Sequence, residues 1–176
     1  RRAVEGPRGP ALLLAVDAPS LLHRAHHARV ASDQRDRGGR PAWALHGMLL
    51  QVLEAVERFA PDRVVLGFDD RSHSRRAARY PAYKAGRAEK HPELLEQIDR
   101  GAAMLDAMGL HTVTPPGLEA DDVTASAATW ARRNGWQCIV ITSDRDAFAH
   151  ISGSTRVLRL INGGIDMGTE NDRATF

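Results

Sequence analysis

Three apolar runs, each closed by aspartate, constrain this chain more than any other feature. "ALLLAVD" ends at Asp17, "RVVLGFDD" at Asp69 and Asp70, and "CIVITSDRD" at Asp144 and Asp146. Runs this short, without polar alternation, suit strands buried on both faces, as in a parallel sheet. "LHTVT" at 110–114 is a weaker fourth run. "TRVLRLINGGID" reads as a strand, a turn at Asn162–Gly164 and the start of another strand. Helical periodicity fills the gaps. Trp43, Leu45, Met48, Leu49, Val52, Leu53, Val56 and Phe59 form one apolar stripe. Pro92 opens a second helix through Leu94, Leu95, Ile98, Ala102, Leu105 and Met108, which Gly109 ends. A third follows Glu119, with Val123, Ala127 and Trp130 as its apolar anchor and Gly135 as its stop. Strands alternating with helices predict an α/β fold with a mainly parallel sheet. At 176 residues the chain suits one domain.

Some classes are excluded at once. No apolar run approaches the roughly 18–20 residues that span a bilayer. The basic start followed by "ALLLAV" imitates a signal peptide, but that run is six residues long and stops at Asp17. The single cysteine, Cys138, lies inside "CIVI", makes no intrachain disulfide and reads as a small core residue of a protein kept in a reducing cytoplasm.

In an open parallel sheet, ligands sit outside the carboxyl ends of the strands. Asp17, Asp69, Asp144 and Asp146 fall at or just past such ends. Glu119, Asp121 and Asp122 begin the helix after the "PPG" turn at 115–117, on the same edge. Taken singly, each has an ordinary explanation as a helix-start acid or a turn residue. Seven together do not. Two carboxylates about 5 Å apart repel by roughly 3 kcal/mol at an effective dielectric near 20. Several such pairs would consume much of a domain's roughly 5–15 kcal/mol of stability. Raised pKa values offset part of this and divalent cations offset more. All-oxygen ligation selects Mg²⁺ or Mn²⁺ over zinc.

The segment "RSHSRRAARYPAYKAGRAEK" at 71–90 follows the Asp69 strand. It holds seven Lys or Arg against one Glu, with Tyr80 and Tyr83 interleaved. A solvated basic loop is one reading. Beside an acidic metal rim, a polyanion clamp is the other, with cations on phosphates and tyrosines on bases. Few apolar residues pin it, so a mobile segment is expected. His23 and His27 have the i,i+4 spacing of a metal pair but no third soft ligand in sequence. Arg24 is the better phosphate candidate on that helix, and His150 reads as a surface residue.

"LLLAVDAPSLLHRAHHA", "VLGFDD…RRAARYPAYKAGR", "GLEADDV" and "VITSDRD" occur in the order and spacing of the 5′-nuclease family. Residues 11–165 resemble the 5′–3′ exonuclease domain of bacterial DNA polymerase I and its free-standing flap endonuclease relatives. The resemblance implies a PIN-like three-layer α/β domain with a mainly parallel central sheet. Acidic residues would stand at the strand carboxyl ends, under a basic helical arch at about 71–91. By resemblance Asp17, Asp69, Glu119, Asp121, Asp122, Asp144 and Asp146 bind two or more Mg²⁺ or Mn²⁺ ions. Arg76, Lys84 and Arg87 would act on the scissile phosphate. Arg24, Arg75, Arg79, Tyr80, Tyr83 and Lys90 would hold DNA.

The implied activity is hydrolysis of DNA phosphodiesters at 5′ ends, flaps or nicks, in replication and repair. The implied protein is a monomer of the bacterial cytoplasm and nucleoid, meeting flapped or nicked DNA and RNA primers. Alternatives are a PIN-type ribonuclease and a weak DNA-binding fragment. The family continues with a "GDxSDN" motif and a duplex-gripping element, so 166–176 is expected to open a further, truncated region. "VDAPS", Ser143, Ala147–His150 and the extra Asp70 depart from the family pattern without removing an implied metal ligand.

Overall fold

The computed structural model describes residues 9–86, 89–161 and 164–167. Six strands form one sheet: β1 (Leu12–Asp17), β2 (Arg63–Gly67), β3 (Thr112–Val113), β4 (Gln137–Thr142), β5 (Thr155–Ile161) and β6 (Gly164–Met167). Their order is β3-β2-β1-β4-β5-β6. The first five are parallel, and β6 pairs antiparallel with β5, so the expected hairpin closes the edge. Asn162 and Gly163 of the expected turn lie outside the described residues. The weak run at 110–114 yields only the two-residue edge strand β3.

Strand alternation divides the core. Leu14 and Val16 of β1 face a large cluster under three helices: α1 (Ala18–Arg29), α2 (Trp43–Phe59) and α4 (Pro92–Ala107). Leu13 and Ala15 face a smaller cluster on the opposite side. It includes Cys138, Val140, Val157 and Phe148, with Ala128 and Ala131 of α5 (Ala120–Arg133). Helices on both faces make β1 and β4 fully buried strands, which is why their sequences read as unbroken apolar runs. Cys138 is a core residue as expected, and burial pushes its thiol up to about 12.

Three positions depart from the sequence expectation, the first being Met108, which is 59% exposed because α4 ends at Ala107 and leaves it as the C-cap. Leu53, placed on the buried stripe of α2, is 54% exposed, because Met48, Val52 and Ala55 already fill the face toward α1 and the sheet. Trp130, expected to anchor α5, is 47% exposed and packs edge-on against Trp136, with ring centroids 5.3 Å apart. Small residues, Val123, Thr124, Ala128 and Ala131, do the anchoring instead. They bring α5 close to the sheet. Gly67 completes that approach: a Cβ there would lie 2.8 Å from Val123 Cβ and 3.1 Å from the Ala120 carbonyl oxygen.

The start of α2 has no side-chain cap of its own. Gln97, fully buried on α4, supplies one from 53 residues away. Its Oε1 accepts from the Ala44 N–H at 2.8 Å and the Leu45 N–H at 3.3 Å. The segment after β2 forms one short helix, α3 (Arg75–Arg79), capped by Ser74, then turns through 81–86.

Candidate metal and nucleic-acid site

Parallel register brings the strand ends level. Asp17 ends β1 opposite Gly67 of β2, and Val16 lies opposite Ile141 of β4. Two residues beyond Gly67 stands Asp69, and two beyond Thr142 stands Asp144. The tight approach of α5 to β2 adds its first turn to the same edge. A cleft of about 380 Å³ results, lined by Asp17, Asp69, Glu119, Asp121, Asp144 and Asp146, with Lys84, Tyr83, Lys90 and His23 around them. Six of the seven candidate carboxylates therefore share one space.

Hydrogen bonds hold Asp17, Asp69 and Asp144 in place. Asp17 is the N-cap of α1 and accepts from the Ser20 N–H at 3.1 Å. Its other oxygen accepts from the Thr142 hydroxyl at 2.8 Å. Asp69 accepts from the Ala120 N–H at 2.9 Å, tying β2 to the first turn of α5. Asp144 caps its own 3₁₀ turn (Arg145–His150) by accepting from the Asp146 N–H at 3.0 Å. Its own N–H donates to Thr142 Oγ1 at 3.1 Å.

Crowding shows in the proton affinities. Burial pushes Asp17 up to about 7, hydrogen bonds from Thr142 and Ser20 work against it, and the charges of Asp121 and Asp69 add to it. Asp121 is raised by burial first, then by Asp144, Asp69 and Glu119. Glu119 behaves differently. Burial pushes it up, but hydrogen bonds from Lys84 and Tyr83 and the nearby Lys84 and Arg76 charges outweigh that and hold it below its ordinary value.

The basic segment supplies those partners. Lys84 Nζ lies 2.7 Å from Glu119 Oε1, and the Tyr83 hydroxyl donates to Glu119 Oε2 at 2.9 Å. Arg76 reaches Glu119 at 3.2 Å and grips both oxygens of Asp122, at 2.9 and 2.7 Å. The segment is thus held down by charge rather than by apolar packing, an anchorage its composition did not disclose.

Asp122 is the exception among the seven. It does not line the cleft. Besides Arg76, it accepts from the Glu119 N–H at 2.9 Å, completing a capping box. Arg75 stands beside Gly117, whose carbonyl accepts its N–H at 2.9 Å. Arg79 and Tyr80 are exposed, and Arg24 is half-buried on α1 next to His23. Arg87 lies outside the described residues. Asp70, read as an oddity, is a staple. It accepts from the Ser72 hydroxyl at 2.6 Å and from the Gly117 N–H at 2.7 Å, joining the base of the basic segment to the "PPG" turn. Those bonds, Ser72 first, hold it down at about 2.

Thr142 and Ser20 escaped the sequence reading. Ser20 Oγ also accepts from the Ser143 N–H at 2.8 Å. The D-x-x-S pattern of a helix cap was the available signal for Ser20. Thr142 had none, because its role depends on β4 lying beside β1.

The donor set fits hard divalent ions: six carboxylates on one cleft, two of them raised first by burial and then by neighbouring negative charge. Among the described residues, no three His, Cys, Asp or Glu side chains stand close enough together to hold an ion as placed. No helix among the described residues is long and apolar enough to cross a membrane.

Residues 12–175 match the profile of the 5′–3′ exonuclease, N-terminal resolvase-like domain. The chain belongs to this 5′–3′ exonuclease family. It is 35% identical over 151 residues to DNA polymerase I of Mycobacterium tuberculosis, covering 86% of this chain and 17% of that protein. It is 34% identical over 152 residues to the thermostable DNA polymerase I of Thermus aquaticus, covering 86% and 18%. The chain thus spans less than a fifth of these relatives.

The fold is shared with bacteriophage T5 5′-exonuclease bound to zinc (TM-score 0.65, 16% identity, covering 88% of this chain and 57% of that one). It is shared also with a T5 flap endonuclease complexed with DNA and metal ions (TM-score 0.59, 16% identity, 88% and 57%). The PIN-like α/β architecture expected from the sequence is the one observed.

Proposed function

We propose that this member of the 5′–3′ exonuclease family is a divalent-metal-dependent nuclease. Its substrates would be DNA phosphodiesters at 5′ ends, flaps or nicks, in replication and repair, with residues 11–165 as its catalytic domain. The observation that carries this reading is the cleft itself. Six carboxylates from three strand ends and one helix start face the cationic Lys84. Ions held by these carboxylates would supply positive charge to a phosphodiester, and the Lys84 ammonium would add its own.

Asp17, Asp69, Glu119, Asp121, Asp144 and Asp146 would hold the ions, Mg²⁺ or Mn²⁺, two or more per site. When bound, the ions supply Lewis-acid charge stabilisation and activate the attacking water. Arg76 and Lys84 exchange their carboxylate partners for phosphate oxygens as the strand enters. Arg87 joins them by resemblance. Tyr83 leaves Glu119 for the strand, and Arg24, Arg75, Arg79, Tyr80 and Lys90 hold the backbone and bases. The product carries a 5′-phosphate and frees a 3′-hydroxyl. The protein would work as a monomer in the bacterial cytoplasm at the nucleoid, on flapped or nicked DNA and on RNA primers.

The test is incubation with a labelled 5′-flap DNA and an RNA hairpin, with Mg²⁺, with Mn²⁺ and with EDTA. Metal-dependent flap cutting that leaves the hairpin intact is expected. Cutting that survives EDTA, or preference for the hairpin, would overturn the proposal.

A further inference from the structure

Beside the acidic cleft lies a second recess, of about 630 Å³, between α1 and the base of the basic segment. Three histidines of α1 line it: His23, His26 and His27. His91 faces them from the start of α4. The imidazoles are close: His26 lies 5.4 Å from both His27 and His91, centroid to centroid. Two side chains, His23 and Lys90, line both this recess and the acidic cleft. His91 is thus a fourth imidazole beside the three that α1 itself carries.

His26 is no metal ligand. The Trp43 indole N–H donates to His26 Nδ1 at 3.1 Å in the buried core. Indole only donates, so Nδ1 accepts and the neutral ring carries its proton on Nε2. Neither nitrogen then keeps a lone pair for an ion. His26 is fixed as a rigid neutral platform, and burial first of all lowers its proton affinity further. Around it, His27 and His91 are exposed, Lys90 is cationic, Glu89 is the one carboxylate of the lining, and the buried Leu94 adds an apolar wall. Aromatic faces with an apolar wall suit a base, and an adjacent ammonium suits a phosphate. The volume is in the range of small-ligand sites.

We propose that this recess is a nucleotide subsite. It takes one nucleotide of the substrate strand, next to the phosphate held in the acidic cleft. Its base stacks on His27 and His91, and its phosphate lies on Lys90 where recess and cleft share a wall. This rests on the nuclease reading and adds a defined seat for one base.

The experiment places 2-aminopurine singly at successive positions of a 5′-flap DNA and reads its fluorescence on binding in Ca²⁺. Wild-type protein should quench one position near the cut. The exposed double variant His27→Ala/His91→Ala should lose that quench and bind the flap roughly tenfold more weakly. His27→Phe/His91→Phe should restore the quench, since stacking needs only the ring face. A bound and cut flap with no quenched position, or a quench that survives the alanine pair, would overturn the subsite. Failure of wild-type protein to bind any flap would overturn the nuclease reading and the subsite with it.

Discussion

Asp17→Asn tests the electrostatics of the cleft directly. Asp17 is only 6% exposed, and burial pushes it from 3.8 up to about 7. Its proton affinity is therefore higher folded than unfolded. Its contribution to stability is complete below about pH 4 and is lost as pH rises to about 7. At ~1.4 kcal/mol per pH unit, that loss comes to about 4 kcal/mol. In EDTA, wild-type stability should fall by that amount relative to Asp17→Asn between pH 4 and 7.

The variant carries a constant offset of its own. An asparagine amide offers an N–H to one of the two donors, Ser20 N–H or the Thr142 hydroxyl, that now meet carboxylate oxygens. The slope of the difference with pH is the measurement, not its absolute value. Denaturant unfolding at a series of pH values reads it. Saturating Mn²⁺ should flatten the wild-type slope by holding Asp17 ionised. A difference constant to within ~1 kcal/mol from pH 4 to 7 would refute the reasoning.

Three further outcomes follow from the same contacts. Thr142→Val removes a donor to buried Asp17 and an acceptor for the Asp144 N–H. It should cost about 1–3 kcal/mol on unfolding and weaken Mn²⁺ binding by calorimetry, while Thr142→Ser restores both. Lys84→Ala removes the ammonium 2.7 Å from Glu119, so it should bind Mn²⁺ at least as tightly as wild type yet cut a flap more slowly. Weaker Mn²⁺ binding by that variant would contradict the competition. Gly67→Ala forces a Cβ to within 2.8 Å of Val123 Cβ, and denaturant unfolding should show a loss of about 1–3 kcal/mol as α5 is pushed off β2.

Much of the molecule was legible in the chain because its signals are local. Burial on both faces leaves an unbroken apolar run, so β1, β2 and β4 could be read off directly, and their aspartates follow from where such strands end. Where a signal needed a partner, reading failed. Trp130 and Leu53 are apolar letters on amphipathic helices, but which helical face meets the sheet is decided by packing, and both ended exposed. Asp122 was indistinguishable in sequence from Glu119 and Asp121. Only the helix start, which turns it toward Arg76 and the Glu119 N–H, separates it from them.

The sequence by itself determined the strand set, the carboxyl-edge aspartates and the basic segment, since each depends on neighbours a few residues apart. Tertiary structure decided the rest. It brought Lys84, Tyr83 and Arg76 onto acids 35 to 46 residues away. It hung Asp17 on Thr142 across 125 residues, and it set His91 beside the α1 histidines. These are pairings between groups whose distance along the chain carries no information about their distance in space.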